Sequence, residues 1–285
     1  MSFLEHLEEL RARIIRAVIG VGVAFVASLT FSSELWDFVR RPATNALLTL
    51  HYDPELAQIA PMDNFQIIWV KLPIVVAIFL SSPWILYQVW AFISPGLYRR
   101  EKRWAAPFIL CSAGLFIIGG VFAYFVIFPY GLTFLLGIGR GQGVKPVVSI
   151  TEYFDLFVNV VLGVGLVFEM PVLIFFLTLL RIVTPSFLLS HSRYAILAIF
   201  IIAAVVTPTP DVFNLMLFAT PMCVLFYLGI FASYLLVLHR EERRFPWRKA
   251  IIIMTVVLSL IAVAIFLAIT TFGYKLVLHW PFMVR

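Results

Sequence analysis

Three glutamates, Glu9, Glu101 and Glu169, stand where a carboxylate needs a partner. Glu9 precedes Arg13 by one helical turn, and such an i,i+4 pair stabilises a helix by about 0.2–0.5 kcal/mol. Glu101 is the one acid in Arg99-Arg-Glu-Lys-Arg103, where its simplest role is to neutralise a basic turn. Either carboxylate could instead receive a guanidinium in a forked, two-point contact that lysine cannot reproduce. Glu169 lies deep in a long apolar run, where an ionised carboxylate costs about 2.5–3.5 kcal/mol even on a lenient insertion scale. It must be protonated, paired or hydrated, and that makes it a functional candidate.

Other chemistries lack their residues. His6, His51, His191, His239 and His279 are scattered, with no pair at ligand spacing on a shared helix, so no metal site is expected. No Gly-x-Ser-x-Gly elbow occurs, and no enzymatic activity or cofactor is expected. Gly137-Ile-Gly-Arg-Gly-Gln-Gly143 lacks the Gly-Lys-Ser/Thr of a phosphate loop and reads as a flexible external loop. Cys111 and Cys223 fall inside apolar runs and read as packing residues. Asp155 suits the start of a helix, Lys71 can snorkel to the surface, and Asp211 after Thr207-Pro-Thr-Pro210 takes an N-cap position.

The elements that carry these residues follow from composition. Of 285 residues, 62% are hydrophobic and 13% charged, against about 45–50% and about 25% in soluble domains. A soluble globular fold is excluded, and nothing suggests nucleic-acid binding. A bilayer core of about 30 Å needs about 20 apolar residues as helix. Seven apolar runs qualify: Ala17 to Ser33, Gln66 to Trp90, Ala105 to Phe128, Phe154 to Leu180, Tyr194 to Val206, Val212 to Leu238, and Ala250 to Tyr274. The fifth, with 13 residues, reaches only about 20 Å and must thin the bilayer or stop short.

Met1 to Arg16 reads as an amphipathic helix lying along the inner surface, with Phe3, Leu7, Leu10 and Ile14 at helical spacing. Counted by alternate sides, 14 basic residues share the side of the N-terminus and 6 the other. That asymmetry predicts a cytoplasmic N-terminus and, with seven spans, an external C-terminus. The connections Glu34 to Phe65 and Gly131 to Tyr153 are then external, while Glu9 and Glu101 share the cytoplasmic edge.

On these residues the sequence resembles the TatC family, the multispanning receptor subunit of the twin-arginine protein translocase. The resemblance runs from Phe3 to about Arg240. It is carried by His6-Leu-Glu-Glu-Leu-Arg11, by Leu86-Tyr-Gln-Val-Trp-Ala-Phe-Ile-Ser-Pro-Gly-Leu-Tyr98 with Glu101, and by Phe122-Ala-Tyr-Phe125 with Phe128-Pro129. Phe168-Glu-Met-Pro171 and Thr207-Pro-Thr-Pro-Asp-Val-Phe213 complete it, five segments in order.

The resemblance implies an all-α polytopic membrane protein of the inner membrane, with a six-helix, glove-shaped fold. It also implies recognition of the Arg-Arg pair in signal peptides of folded precursors and support for their gradient-driven export. By the same resemblance Glu9 and Glu101 bind that pair, and Arg11, Phe92, Pro95, Leu97 and Arg103 frame the site. Pro42, Tyr124, Glu169 and Asp211 match positions associated with transport or assembly. Single-span partners of the TatA and TatB type, and self-association in a larger complex, are implied too. The chain departs from the family after residue 240. Residues 1–240 form the TatC-like domain, and 241–285 form a basic linker with a seventh transmembrane helix. The linker's Arg243-Arg-Phe-Pro-Trp-Arg-Lys249 reads as an inner anchor of that span, with a sharper role as a competitor for Glu9 and Glu101. From the residue pattern alone, a proton-coupled small-solute transporter using Glu169 remains the alternative.

Overall fold

A computed structural model of the chain describes residues 3–93, 105–139, 145–207, 211–241, 275–276 and 283–284. Two units emerge, Met1–Tyr234 and Leu235–Arg285. In the second, the described residues are the end of a long helix and a two-residue antiparallel ladder, β1 (Lys275–Leu276) with β2 (Met283–Val284). The predicted seventh helix and the Arg243–Arg244 pair lie outside the described residues, as do Pro95, Leu97, Glu101 and Arg103.

The first unit is helical. Its elements are α1 (Phe3–Thr30), α2 (Ser32–Thr49), α3 (Asp63–Gln66), α4 (Leu72–Ile93), α5 (Ala105–Phe122), α6 (Phe128–Ile138), α7 (Ile150–Val167), α8 (Met170–Leu179), α9 (Pro185–Ser190) and α10 (Ser192–Val206), followed by α11 (Val212–Arg240), which runs on into the second unit. Among the described residues, five continuous helical stretches are long and apolar enough to cross a bilayer, and α10 is a shorter apolar helix. Six of the seven apolar runs are thereby accounted for, including the short fifth.

The backbone follows the prolines. Two π-helical turns, Ile67–Lys71 and Ala123–Ile127, precede Pro73 and Pro129 and join α3 to α4 and α5 to α6 without a stop. A proline ring cannot sit over the carbonyl of residue i−4, and a wider turn relieves that crowding. Pro171 has the opposite effect. The fourth run divides at Phe168 and Glu169 into α7 and α8, because Pro171 offers no N–H to the Val167 carbonyl.

Several sequence expectations need correction. Met1 to Arg16 is not a separate surface helix: α1 continues unbroken to Thr30, since no proline interrupts it. The stripe of Leu7, Leu10, Ile14 and Val18 is exposed, as are Val23 and Val26 elsewhere around the helix, an apolar surface suited to lipid. The connection Glu34 to Phe65 contains α2, whose Val39, Pro42, Ala43, Ala46 and Leu47 are buried. Gly137 and Ile138 end α6 rather than forming loop. Cys111 points outward from α5 and is exposed, so it is not a core packing residue.

One buried cluster holds the unit together, drawing Val39 and Ala43 from α2, Leu72 from α4, Phe128 from α6, and Tyr153, Phe154 and Phe157 from α7. Helices α5 and α7 approach closely where a Cβ on Gly119 would lie 3.0 Å from the Gly165 Cα, the small-residue contact that lets apolar helices pack without a hydrophobic drive. At the α2 end, the extended segment around Ala57 is clipped to the start of α7: Ala57 N–H donates to Val148 (2.8 Å) and Ile150 N–H to Ala57 (3.0 Å).

Candidate functional site

Helices α1 and α4 run antiparallel and in contact, which sets the first constellation. Gly20 lets Trp84 lie against α1: a Cβ there would fall 2.3 Å from Trp84 Cδ1. The Trp84 Nε1–H donates to the Arg16 carbonyl at 2.9 Å and fixes the register. Toward the N-terminus, Arg13 Nη1 donates to Gln88 Oε1 at 3.3 Å, and Arg13 Nη2 meets Glu9 Oε1 at 3.3 Å. The last level is aromatic, with His6 stacked on Phe92 at 4.4 Å between ring centroids.

The predicted Glu9–Arg13 pair is therefore present, but it is a one-point contact. The second oxygen, Glu9 Oε2, is buried and has no hydrogen-bond partner among the described residues. Glu9 and Arg13 side chains are only 17% and 22% exposed, so bulk water screens this pair less than a surface pair. A carboxylate oxygen without a partner can accept an N–H from a further cation. Arg11 is exposed and follows Glu9 by two residues, about 200° around the helix, so the structure does not bring it to this face.

Two participants were absent from the sequence reading. The sequence offers Gln88 no role within its motif, and His6 enters there only through metal-ligand spacing. An amide near the end of a long apolar run is a signal that could have found Gln88, because a buried amide needs a partner.

The second constellation surrounds Glu169, which occupies the N-cap position of α8. Ser112, buried on α5, donates its hydroxyl to Glu169 Oε2 at 2.5 Å, while Oε1 is buried with no partner among the described residues. Of the expected options, the carboxyl group is paired on one oxygen. Ser112 was not foreseen. Lys71 and Asp155, read separately as a snorkelling lysine and a helix-start acid, form one salt bridge at 2.8 Å. The helix begins at Ile150, so Asp155 sits past its first turn and gains its partner across helices.

Tyr124 packs on Phe38, one turn before Pro42 in α2. The Tyr124 hydroxyl donates to the Phe38 carbonyl at 2.8 Å, and its ring stacks on Phe38 with 4.2 Å between centroids. Asp211 caps α11 as expected. Its Oδ1 accepts from the Asn214 backbone N–H at 2.7 Å and its Oδ2 from the Asn214 side chain at 2.8 Å. Asn214 in turn lies over Gly131, where a Cβ would approach its Oδ1 to 2.8 Å. Among the described residues no three His, Cys, Asp or Glu side chains gather as a metal-ligand set.

Comparison with known proteins identifies the family. Residues 5–221 match the family model described as Sec-independent protein translocase protein (TatC). The Sec-independent protein translocase protein TatC of Koribacter versatilis is 44% identical over 244 residues, spanning 86% of this chain and 88% of that protein. TatCy of Bacillus subtilis is 34% identical over 233 residues, 82% of this chain and 89% of that one. A crystal structure of the twin arginine translocase receptor TatC in DDM superposes with a TM-score of 0.69 at 34% identity, covering 80% of this chain and 99% of the other.

Proposed function

The chain belongs to the TatC family of Sec-independent protein translocases, and from that membership we propose that its Glu9 end receives the paired arginines of a precursor's signal peptide. It is a membrane-spanning component of the twin-arginine translocase. The solute-transporter reading of Glu169 gives way to this one. The observation that carries the site is the second oxygen of Glu9, buried and without a hydrogen-bond partner among the described residues, on a helix pair of fixed register.

Glu101 supplies the second carboxylate, and Arg11, Phe92, Pro95, Leu97 and Arg103 frame the site. Pro42, Tyr124, Glu169 and Asp211 serve transport or assembly. Precursors with Arg-Arg signal peptides are the ligands, and single-span TatA-type and TatB-type subunits the partners, within a larger self-associated complex. The protein acts as a receptor rather than a catalyst. The excess of basic residues on the N-terminal side supports a cytoplasmic N-terminus in the inner membrane, and a span over 250–274 carries the C-terminus outside. Residues 241–285 then extend a family domain that ends near residue 240.

Binding of a folded precursor carrying an Arg-Arg signal tests the site. Glu9→Gln and Glu101→Gln each remove a charge-assisted contact and should each weaken binding about tenfold or more. Unchanged affinity in both single variants and in the double variant would overturn the assignment.

A further inference from the structure

We propose that Gln88 is a positioning residue of the signal-peptide site: it holds the Arg13 guanidinium aside and thereby keeps one oxygen of Glu9 open. This rests on the reading of Glu9 as an arginine-binding carboxylate.

A guanidinium one turn from a carboxylate gains most by closing on it with two parallel N–H donors. Arg13 does not close. Its Nη2 reaches Glu9 Oε1 at 3.3 Å, while Nη1 is turned to Gln88 Oε1, also at 3.3 Å. The two terminal nitrogens are divided between two acceptors on two helices, and Glu9 Oε2 is the atom left over, buried and without a partner among the described residues.

Gln88 is suited to that task. It is 2% exposed, and its helix is registered against α1 by the Trp84 bond to the Arg16 carbonyl and by close packing at Gly20. Its amide oxygen is a neutral acceptor, strong enough to retain one N–H yet weaker than a carboxylate. Arg13 thus offsets the charge of an empty Glu9 without filling its second oxygen. An incoming guanidinium meets an oriented acceptor and need not first displace a forked pair. With the Gln88 acceptor removed, Arg13 is free to swing onto both oxygens of Glu9 and close the site from within.

The test measures the affinity of the full-length protein, in lipid nanodiscs, for a signal peptide bearing Arg-Arg and for the same peptide bearing Lys-Lys. Gln88→Met removes the acceptor at similar volume and should weaken Arg-Arg binding about tenfold, the loss of roughly one charge-assisted hydrogen bond. The ratio of Arg-Arg to Lys-Lys affinity should fall with it, because only the arginine peptide exploits the open oxygen in a planar contact. A general disturbance of α4 would lower both affinities and leave the ratio intact, and that outcome overturns the proposal.

A double-mutant cycle separates this inference from the reading beneath it. In an Arg13→Gln background, Gln88→Met should change affinity less than twofold, since there is no guanidinium left to restrain. Additive effects of the two substitutions overturn the proposal. If Glu9→Gln itself leaves affinity unchanged, the assignment of Glu9 fails; if Glu9→Gln weakens binding while Gln88→Met does not, only the positioning role fails.

Discussion

Tyr124 supplies the hydrogen bond that Pro42 withholds. In α2 the Phe38 carbonyl would normally accept from the N–H of residue 42, and proline has none. The Tyr124 hydroxyl, from the π-helical turn before α6, donates to that carbonyl instead at 2.8 Å. One residue on, the Tyr153 hydroxyl from α7 donates to the Val39 carbonyl. Helix α2 is thereby tied to two other elements, and Pro42 and Tyr124, which the sequence could only associate with transport or assembly, bear on the same Phe38 carbonyl.

The first prediction follows from that exchange. Tyr124→Phe leaves the Phe38 carbonyl unpaired and should lower stability by about 0.5–1.5 kcal/mol. In a Pro42→Ala background the alanine N–H can serve the same carbonyl, so Tyr124→Phe should cost distinctly less there. Thermal unfolding of the four proteins in one detergent gives the coupling. Equal costs in both backgrounds would show that the two residues act independently.

Gly20 yields the second prediction. An alanine methyl would fall 2.3 Å from Trp84 Cδ1, so α1 and α4 must separate or the indole must swing away. Overpacking of this kind costs about 1–3 kcal/mol, and the separation would carry Glu9 and Arg13 away from Gln88. Gly20→Ala should therefore reduce both stability and signal-peptide affinity, and Trp84→Leu should relieve part of both losses. Recovery of stability without affinity would mean that the Trp84 bond to Arg16, and not the packing, sets the site.

What the sequence made legible was local. The spans through α11 followed from apolar runs, the Glu9–Arg13 pair from one-turn spacing, and the Asp211 cap from its place after a proline-rich turn. Helix α2 escaped because it is amphipathic: Glu34, Asp37, Arg40 and Arg41 interrupt any search for apolar stretches, although its buried positions recur at helical spacing. Gln88 and Ser112 escaped for another reason. Their partners lie 75 and 57 residues away along the chain, and nothing in a single sequence fixes which polar residue of one span faces which residue of another. The break before α8 was legible in principle from Pro171, whose lost N–H stops the helix at Glu169, leaving that carboxyl group free to meet Ser112.

The third prediction concerns α10, whose 15 residues extend only about 22 Å against a hydrocarbon core of about 30 Å. The bilayer must thin there or admit water. Val205, exposed near the end of α10, gives a direct probe. After Cys111 and Cys223 are replaced by alanine, a cysteine at 205 should react with a membrane-impermeant maleimide added to intact vesicles from the side where α10 ends. A cysteine replacing Leu166, exposed on the longer α7, serves as the depth control and should react more slowly. Equal protection of both positions would contradict local thinning.

The fourth prediction turns on the asymmetry between losing one partner of a buried hydrogen bond and losing both. Ser112 is the hydroxyl that meets Glu169, and the carboxyl group's other oxygen is already unpartnered among the described residues. Ser112→Ala therefore leaves the whole carboxyl group without a donor and should destabilise the protein by about 1–3 kcal/mol. Glu169→Leu on its own strands the Ser112 hydroxyl, but that group can turn back to a carbonyl of its own helix, as Ser81 does with Ala77. The double variant, with an apolar group on each side, should be more stable than Ser112→Ala alone. Unfolding in detergent settles the order. Export of a twin-arginine precursor then separates stability from use: if the open oxygen of Glu169 serves transport, the double variant recovers stability without recovering export, whereas parallel recovery of both would make the carboxyl group a structural element only.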